Sequence, residues 1–183
     1  RGPAVVTLDD ARDYLRWFLV AAEIEYVELL NASASMVPLY NTEHPELTWR
    51  LRGGTSFTFP TNVALNPGEY LLVVGSDDVE AFRQEWSLPP TLQIFGPLSN
   101  ALDNAGDSVN LRAPNNPEPA TNVAAYHLHD RVKYNDRLPW PLAADGLGGS
   151  LERIDPTAYG NTPDNWHSAP NVTTPGAPNS DYV

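Results

Sequence analysis

Proline most constrains what this chain can fold into, because 18 of its 183 residues are proline, roughly twice the average frequency in proteins. Proline fixes the backbone φ angle and has no N–H donor, so it is excluded from helix interiors and central strands. Hydrophobic residues still make up 42% of the chain, which is enough for a packed core. This combination favours an all-β fold of many short strands separated by turns.

The charge and the absence of cysteine exclude several functional classes. The chain has 11 basic residues, 23 acidic residues and no cysteine, and its net charge is −12. Disulfides, thiolate metal sites and thiol catalysis are therefore excluded. Non-specific affinity for nucleic acid comes from Lys and Arg, so we expect no nucleic-acid partner. The longest apolar run, residues 17–22, is far shorter than the ~20 residues that span a bilayer, so we expect no membrane insertion.

Alternating apolar and polar residues predict strands along most of the chain. The predicted strands cover residues 20–30, 47–51, 56–59, 70–74, 91–95, 107–112, 122–134 (with a bulge) and 150–154. Residues 77–86 have apolar side chains at helical spacing after a capping residue, which predicts a short helix. Residues 113–120 are predicted to be a hairpin-type loop, and the proline-rich chain from Asn135 onward is predicted to wrap the surface.

Several phrases occur in an order that is typical of one family. They are Glu25-Tyr-Val-Glu-Leu-Leu-Asn31, Trp49-Arg-Leu51, Leu65-Asn-Pro-Gly-Glu-Tyr-Leu-Leu-Val-Val74, Gly106-Asp-Ser-Val-Asn-Leu111, Gly149-Ser-Leu-Glu-Arg153 and Thr174-Pro-Gly-Ala-Pro-Asn179. Together they resemble the lamin-tail domain, an immunoglobulin-like β-sandwich found at the end of nuclear lamins and in many bacterial secreted or surface proteins. The resemblance covers residues 18–179, and residues 35–45 are longer than the family's usual connection.

The resemblance implies a single immunoglobulin-like β-sandwich of about seven to nine strands over residues 18–183. One short helix near 77–86 and a proline-rich C-terminal wrap accompany it, and residues 1–17 precede it as a linker or short helix. It also implies a non-catalytic binding or tethering module within a larger, multidomain bacterial protein that is secreted or at the cell surface. The expected partner is a protein or a polysaccharide, and no catalytic, cofactor-binding or metal-binding residue is assigned.

Two histidines offer the sequence's clearest pair of transition-metal ligands. His127 and His129 are two residues apart, which places both imidazoles on one face of a strand. No third ligand follows from the sequence. Two half-exposed histidines on an edge strand are the competing interpretation, and it is the one we favour.

Loop aspartates define the first alternative function, a calcium-stabilised adhesive domain. They lie among Gly, Asn and Pro residues, whose loops can surround calcium with side-chain and carbonyl oxygens. These residues are Asp103, Asp107, Asp145, Asp155 and Asp164. No EF-hand spacing is present, and aspartate is also an ordinary turn residue.

Carboxylates on the first long strand define the second alternative, a hydrolase that uses acidic residues. Glu23 and Glu25 share a strand face at a separation suited to a glycosidase pair, and Glu28 lies nearby. The competing interpretation, which we favour, gives Glu25 and Glu28 a structural role, with side chains bonded to neighbouring loops. Among the tryptophans, Trp49 and Trp86 are predicted to be buried, and Trp140 is predicted to be the most exposed.

Overall fold

The computed structural model of the chain describes residues 7–9, 25–142, 149–168 and 173–179. These residues form a mostly β structure with one α-helix, α1 (Val79–Glu85), and a 3-10 turn at Pro163–Asn165. The strands are β1 (Thr7–Asp9), β2 (Tyr26–Leu30), β3 (Val37–Pro38), β4 (Arg50–Gly53), β5 (Phe57–Thr58), β6 (Ala64–Leu65), β7 (Tyr70–Val74), β8 (Gln93–Phe95), β9 (Gly106–Pro117), β10 (Ala124–Asn135), β11 (Ser150–Arg153) and β12 (Trp166–His167).

The strands form three sheets. The largest has six strands in the order β12-β11-β1-β2-β7-β8, the second has four in the order β10-β9-β4-β5, and β3 pairs with β6. The pairing of β7 with β8 is parallel, and the other strand pairs are antiparallel. The described helix is too short to cross a membrane.

Side chains from both larger sheets meet in one hydrophobic core. Val27 and Leu71 come from the six-stranded sheet, and Leu51, Leu111 and Val132 come from the four-stranded sheet. Because successive side chains alternate between the two faces of a strand, the next residues on β2 and β7 point away from this core. The six-stranded sheet therefore has a second face that also needs covering.

Helix α1 covers part of that second face. Phe82, the buried residue of the helix, packs with Tyr26, Leu72 and Val74 in a second, smaller cluster. The side chain of Asp78 caps the helix by accepting a hydrogen bond from the Ala81 N–H at 2.9 Å. Burial on both faces explains why residues 71–74 are apolar without alternation.

The C-terminal segment lies against strands β2 and β11. The Gly176 N–H donates to Oε2 of Glu28 at 2.6 Å, and the Thr174 hydroxyl donates to Oε1 of Glu152 at 2.8 Å. Asn179 Nδ2 donates to the carbonyl of Arg153 at 2.9 Å. Residues 173–179 therefore pack on the fold, as predicted for the C-terminal wrap.

Several predicted elements are confirmed. The structure has strands within each of the eight predicted segments, although residues 20–24 lie outside the described residues. The helix is confirmed as well, and β10 contains register shifts between Ala124 and Tyr126 and between Leu128 and Asp130. These irregularities match the bulge expected in residues 122–134.

The prediction of a loop over residues 113–120 is wrong for residues 113–117. Strand β9 continues to Pro117, because β10 pairs with it as far as Ala124. Thr7–Asp9 forms a strand within the segment predicted to be a linker or short helix, and residues 1–6 and 10–17 lie outside the described residues. Strands β3, β6 and β12 were not predicted, because two residues are too few to show alternation.

Candidate functional site

An open cleft of about 580 Å³ lies where the loop of residues 33–43 meets the paired strands β9 and β10. The loop forms one wall, and Trp49 with residues of the two strands forms the other. We call this site the loop cleft. Its lining consists of Ser33, Ala34, Ser35, Met36, Val37, Pro38, Tyr40, Asn41, Thr42, Glu43, Trp49, Ala113, Pro114, Asn116, His127 and His129.

Hydrogen bonds hold the loop at both of its ends. Asn31 Nδ2 donates to the carbonyls of Ser35 and Leu65, each at 2.8 Å. Further along, the Leu39 N–H donates to the carbonyl of Val63 at 2.8 Å, and the Trp49 N–H donates to the carbonyl of Leu39 at 2.8 Å. The walls of the cleft are therefore fixed by the fold before any ligand binds.

Two asparagines join the loop to the opposite wall. Asn41 Nδ2 donates to Oδ1 of Asn116 at 2.7 Å, and Asn116 Nδ2 donates to Oε2 of Glu43 at 2.6 Å. Asn41 Oδ1 also accepts hydrogen bonds from the N–H groups of Glu43 and His44, at 2.9 and 3.0 Å. The side chains of Asn41, Glu43 and Asn116 thus form a clasp that fixes the width of the cleft.

The structure brings both predicted histidines into this cleft. His127 pairs in register with Ala113, and its Nδ1 lies 2.8 Å from Oδ1 of Asn115. His129 lies at the bulge, and its ring is 4.4 Å from the ring of Trp49, centroid to centroid. Both histidines are half-buried. Among the described residues, no group of three His, Asp or Glu side chains is placed to hold a metal ion.

The loop aspartates make local turn contacts. Oδ1 of Asp103 accepts from the Ala105 N–H at 2.9 Å, and Oδ1 of Asp107 accepts from the Ser108 N–H at 2.7 Å. Oδ1 of Asp155 accepts from both the hydroxyl and the N–H of Thr157, and these hydrogen bonds hold the pKa of Asp155 below its ordinary value. Asp164 is exposed in the 3-10 turn, and Asp145 lies outside the described residues.

The strand carboxylates contact loops in the way that the structural interpretation predicts. Oε2 of Glu25 accepts from the Leu102 N–H at 2.6 Å, and Oε2 of Glu28 accepts from the Gly176 N–H at 2.6 Å. Glu25 directly precedes β2 and Glu28 lies within it; because the two are three residues apart in extended chain, their side chains lie on opposite faces. Glu25 and Glu28 therefore do not face each other, and the pair predicted for a glycosidase, Glu23 with Glu25, stays a prediction. Glu23 lies outside the described residues.

Two predictions about the burial of tryptophan side chains are wrong. Trp49 is buried as predicted, whereas Trp86 is 36% exposed because the helix ends one residue before it. Trp140 is only 5% exposed, which contradicts its predicted exposure. Its ring packs on Trp166 with the centroids 6.4 Å apart, and the same turn presents Leu138 to solvent instead.

Sequence reasoning missed the clasp and the loop that it holds. The available signal was the length of residues 35–45, because a connection longer than the strands require is a common place for a binding site. Comparison of the chain with known proteins found no matching family model, no matching curated protein and no matching solved structure.

Proposed function

We propose that this chain is an immunoglobulin-like β-sandwich of the lamin-tail type that acts as a non-catalytic binding or tethering module. It serves a larger bacterial protein that is secreted or at the cell surface. The core shared by both larger sheets supports the sandwich assignment. The observation that carries the binding role is the loop cleft, whose walls are held by hydrogen bonds within the fold.

The lining of the cleft favours an uncharged ligand. Among the described lining residues, Glu43 is the one with a carboxylate, and that carboxylate already accepts a hydrogen bond from Asn116 in the clasp. Tyr40, Trp49 and His129 supply rings, and the remaining polar groups are hydroxyls and amides. Rings and neutral hydrogen-bonding groups suit a neutral polysaccharide or an uncharged peptide segment of a protein.

The contacts of the acidic residues support binding over catalysis. Glu25 and Glu28 each hold a backbone N–H of a distant segment, so their carboxylates position loops. A general acid or base needs a carboxylate that reaches the substrate. We therefore assign no catalytic residue.

Binding to a panel of neutral polysaccharides and uncharged peptides tests the proposed function. Tyr40→Ala and His129→Ala should each weaken binding about tenfold or more, because each removes a ring from the cleft. Tyr159→Ala is the matched control, since Tyr159 is 59% exposed and lies outside the cleft lining. Binding that neither cleft variant weakens would place the site elsewhere.

The two alternatives are tested in the same preparation. If the protein hydrolyses a bound polysaccharide, and if Glu25→Gln or Glu28→Gln abolishes that hydrolysis, the protein is a hydrolase and the proposed binding role is wrong. A calcium-stabilised adhesive domain requires the melting temperature to rise in millimolar calcium relative to a chelator. We expect neither turnover nor a calcium-dependent shift.

A further inference from the structure

The basic residues of the described chain divide into two groups. Three of them form ion pairs with carboxylates: Arg83 with Glu80, Arg137 with Asp136, and Arg153 with Asp130. The other five lie on three adjacent strands, β4, β9 and β10, and they are Arg50, Arg52, Arg112, Arg131 and Lys133.

Strand register places these five side chains on one face of the four-stranded sheet. Arg50 pairs with Arg112. Arg52 pairs with Asn110, and Asn110 pairs with Arg131. Residues that pair directly across antiparallel strands share a face, and so do residues two apart on one strand. The five therefore lie opposite the core residues of the same strands, and we call this surface the basic face.

No carboxylate neutralises the basic face within the described residues. The other paired positions on this face carry no charge, and they include Thr58, Ser108, Asn110, Tyr126 and Leu128. Asp130 pairs with Leu111, so it lies on the core side of the sheet. None of the five basic side chains forms an ion pair in the described part of the chain.

The guanidinium groups are held in place and still have unused donors. Arg52 donates to the carbonyls of Leu51 and Phe57, at 2.7 and 3.1 Å, and the Arg50 guanidinium lies 3.4 Å from the centroid of the Tyr126 ring. Nε of Arg50 and Nε of Arg131 are shielded from solvent and find no hydrogen-bond partner among the described residues. Shielded donors without acceptors cost free energy in the free protein.

Like charges on this face also destabilise the free protein. Arg50 and Arg112 are direct cross-strand partners, an arrangement that is unfavourable for two cations. Burial, followed by the charge of Arg50, lowers the pKa of Arg52. In a chain with a net charge of −12, acidic residues that could relieve this repulsion are plentiful, yet none of the described residues paired on the basic face is acidic.

We propose that the basic face binds an acidic polysaccharide, a linear sugar chain that carries carboxylate groups. Four of the five cations are arginines, whose planar guanidinium matches a carboxylate with two parallel hydrogen bonds. Thr58, Ser108 and Asn110 pair with them across the strands and offer hydrogen bonds to sugar hydroxyls. The basic face and the loop cleft share no residue, so this proposal does not depend on the proposed cleft function.

An acidic protein and a nucleic acid fit the basic face less well than an acidic polysaccharide does. The centre of a protein–protein interface is usually apolar and aromatic, whereas Leu128 and Tyr126, which are the residues of this kind on the basic face, lie at one end of it. Nucleic acid carries a much denser line of charge, which the net charge of −12 repels more strongly. A sugar chain with spaced carboxylates meets the same cations at a lower electrostatic cost.

Affinity measurements with alginate, neutral dextran, polyglutamate and a single-stranded oligodeoxynucleotide test this proposal. We expect the protein to bind alginate, to ignore dextran, and to lose affinity for alginate as salt increases. Arg112→Gln and the exposed Lys133→Glu should each reduce affinity for alginate about tenfold. Arg137→Gln, which removes a cation from elsewhere on the surface, should leave it unchanged.

Melting temperatures establish that each variant is folded, and Lys133→Glu keeps the test valid if Arg112→Gln disturbs the sheet. The proposal is overturned if alginate does not bind, or if it binds equally to wild type and to the folded basic-face variants. Polyglutamate or the oligonucleotide binding as tightly as alginate would overturn the polysaccharide assignment. Absence of alginate binding would leave the cleft function standing, because cleft ligands are measured separately.

Discussion

Nη1 of Arg153 donates a hydrogen bond to Oδ2 of Asp130 at 2.5 Å, and the two side chains are 1% and 6% exposed. Arg153 belongs to β11 of the six-stranded sheet, and Asp130 belongs to β10 of the four-stranded sheet. Nη2 of Arg153 also donates to the carbonyl of Ala158 at 2.6 Å. In a chain without cysteine, this buried ion pair is a direct polar link between the two sheets.

Removing one partner of this ion pair should destabilise the fold strongly. Arg153→Met leaves the Asp130 carboxylate buried without its cation, and we expect the free energy of unfolding to fall by about 3–5 kcal/mol. Arg137→Met is the control, because its pair with Asp136 is exposed and should contribute less than about 1 kcal/mol. Urea unfolding of both variants measures the difference. Equal losses would show that the buried pair contributes little to stability.

Gly160 should not tolerate a side chain, because it packs against the same ion pair. A Cβ at this position would lie 2.8 Å from Nη2 of Arg153, 2.8 Å from Oδ1 of Asp130 and 2.9 Å from the carbonyl of Arg131. We expect Gly160→Ala to lower the free energy of unfolding by about 1–3 kcal/mol, the usual cost of overpacking.

Gly75→Ala provides the control for Gly160→Ala. A Cβ at Gly75 would meet its nearest neighbour, the Glu25 carbonyl oxygen, at 3.4 Å, which is far less crowded. Thermal unfolding of the two variants compares them directly. A Gly160→Ala protein as stable as Gly75→Ala would mean that the ion pair can move aside.

The sequence predicts two kinds of strand. Alternating residues predict strands with one buried face, and a continuous apolar run predicts the strand that is buried on both faces. Residues 70–74 are apolar throughout because helix α1 covers one face and the shared core covers the other. The pattern could not predict the pairing of Asp130 with Arg153, because the two residues belong to different sheets and are 23 positions apart in the sequence. All four residues of β11, Ser150–Arg153, are buried, and the charges of Glu152 and Arg153 give no sequence signal of that burial.

The length of residues 35–45 hints at a binding loop, but the sequence does not show which segments form the opposite wall of the loop cleft. His127 and His129 were recognised as a pair, yet the ring contact of His129 with Trp49 joins segments 80 residues apart. The flanking prolines predict that Trp140 is exposed, and its packing on Trp166, a contact between distant segments, buries it instead. Contacts between distant segments therefore account for the main errors.

Glu28 should control the docking of the C-terminal segment. Its Oε2 accepts the Gly176 N–H at 2.6 Å from a fully buried position. Glu28→Ala removes this acceptor and leaves the N–H unsatisfied, at a cost of about 1–3 kcal/mol. We expect faster amide hydrogen exchange at Gly176 and its neighbours.

Glu28→Gln separates the acceptor from the charge, because its amide oxygen can still accept the hydrogen bond. Exchange at Gly176 should therefore be slower in Glu28→Gln than in Glu28→Ala. Glu85→Ala, which changes an exposed helix residue, serves as the reference for general effects of removing a carboxylate. Unchanged exchange at Gly176 in Glu28→Ala would show that other contacts suffice to hold the segment.

Glu69 should give the turn before β7 a measurable pH dependence. Its Oε2 accepts the Asn66 N–H at 2.6 Å, its Oε1 accepts from Asn66 Nδ2 at 3.1 Å, and these hydrogen bonds lower the pKa of Glu69. Because the folded pKa lies below the unfolded value of about 4.3, the stabilisation is complete above that value and disappears as the pH falls through the folded pKa. The carboxylate is exposed, so the contribution should stay below about 1 kcal/mol. Wild type should therefore exceed Glu69→Gln in stability at neutral pH, and the difference should vanish in acid, as measured by urea unfolding across the pH range. An NMR titration in which the Glu69 carboxyl titrates at or above its ordinary pKa would contradict this prediction.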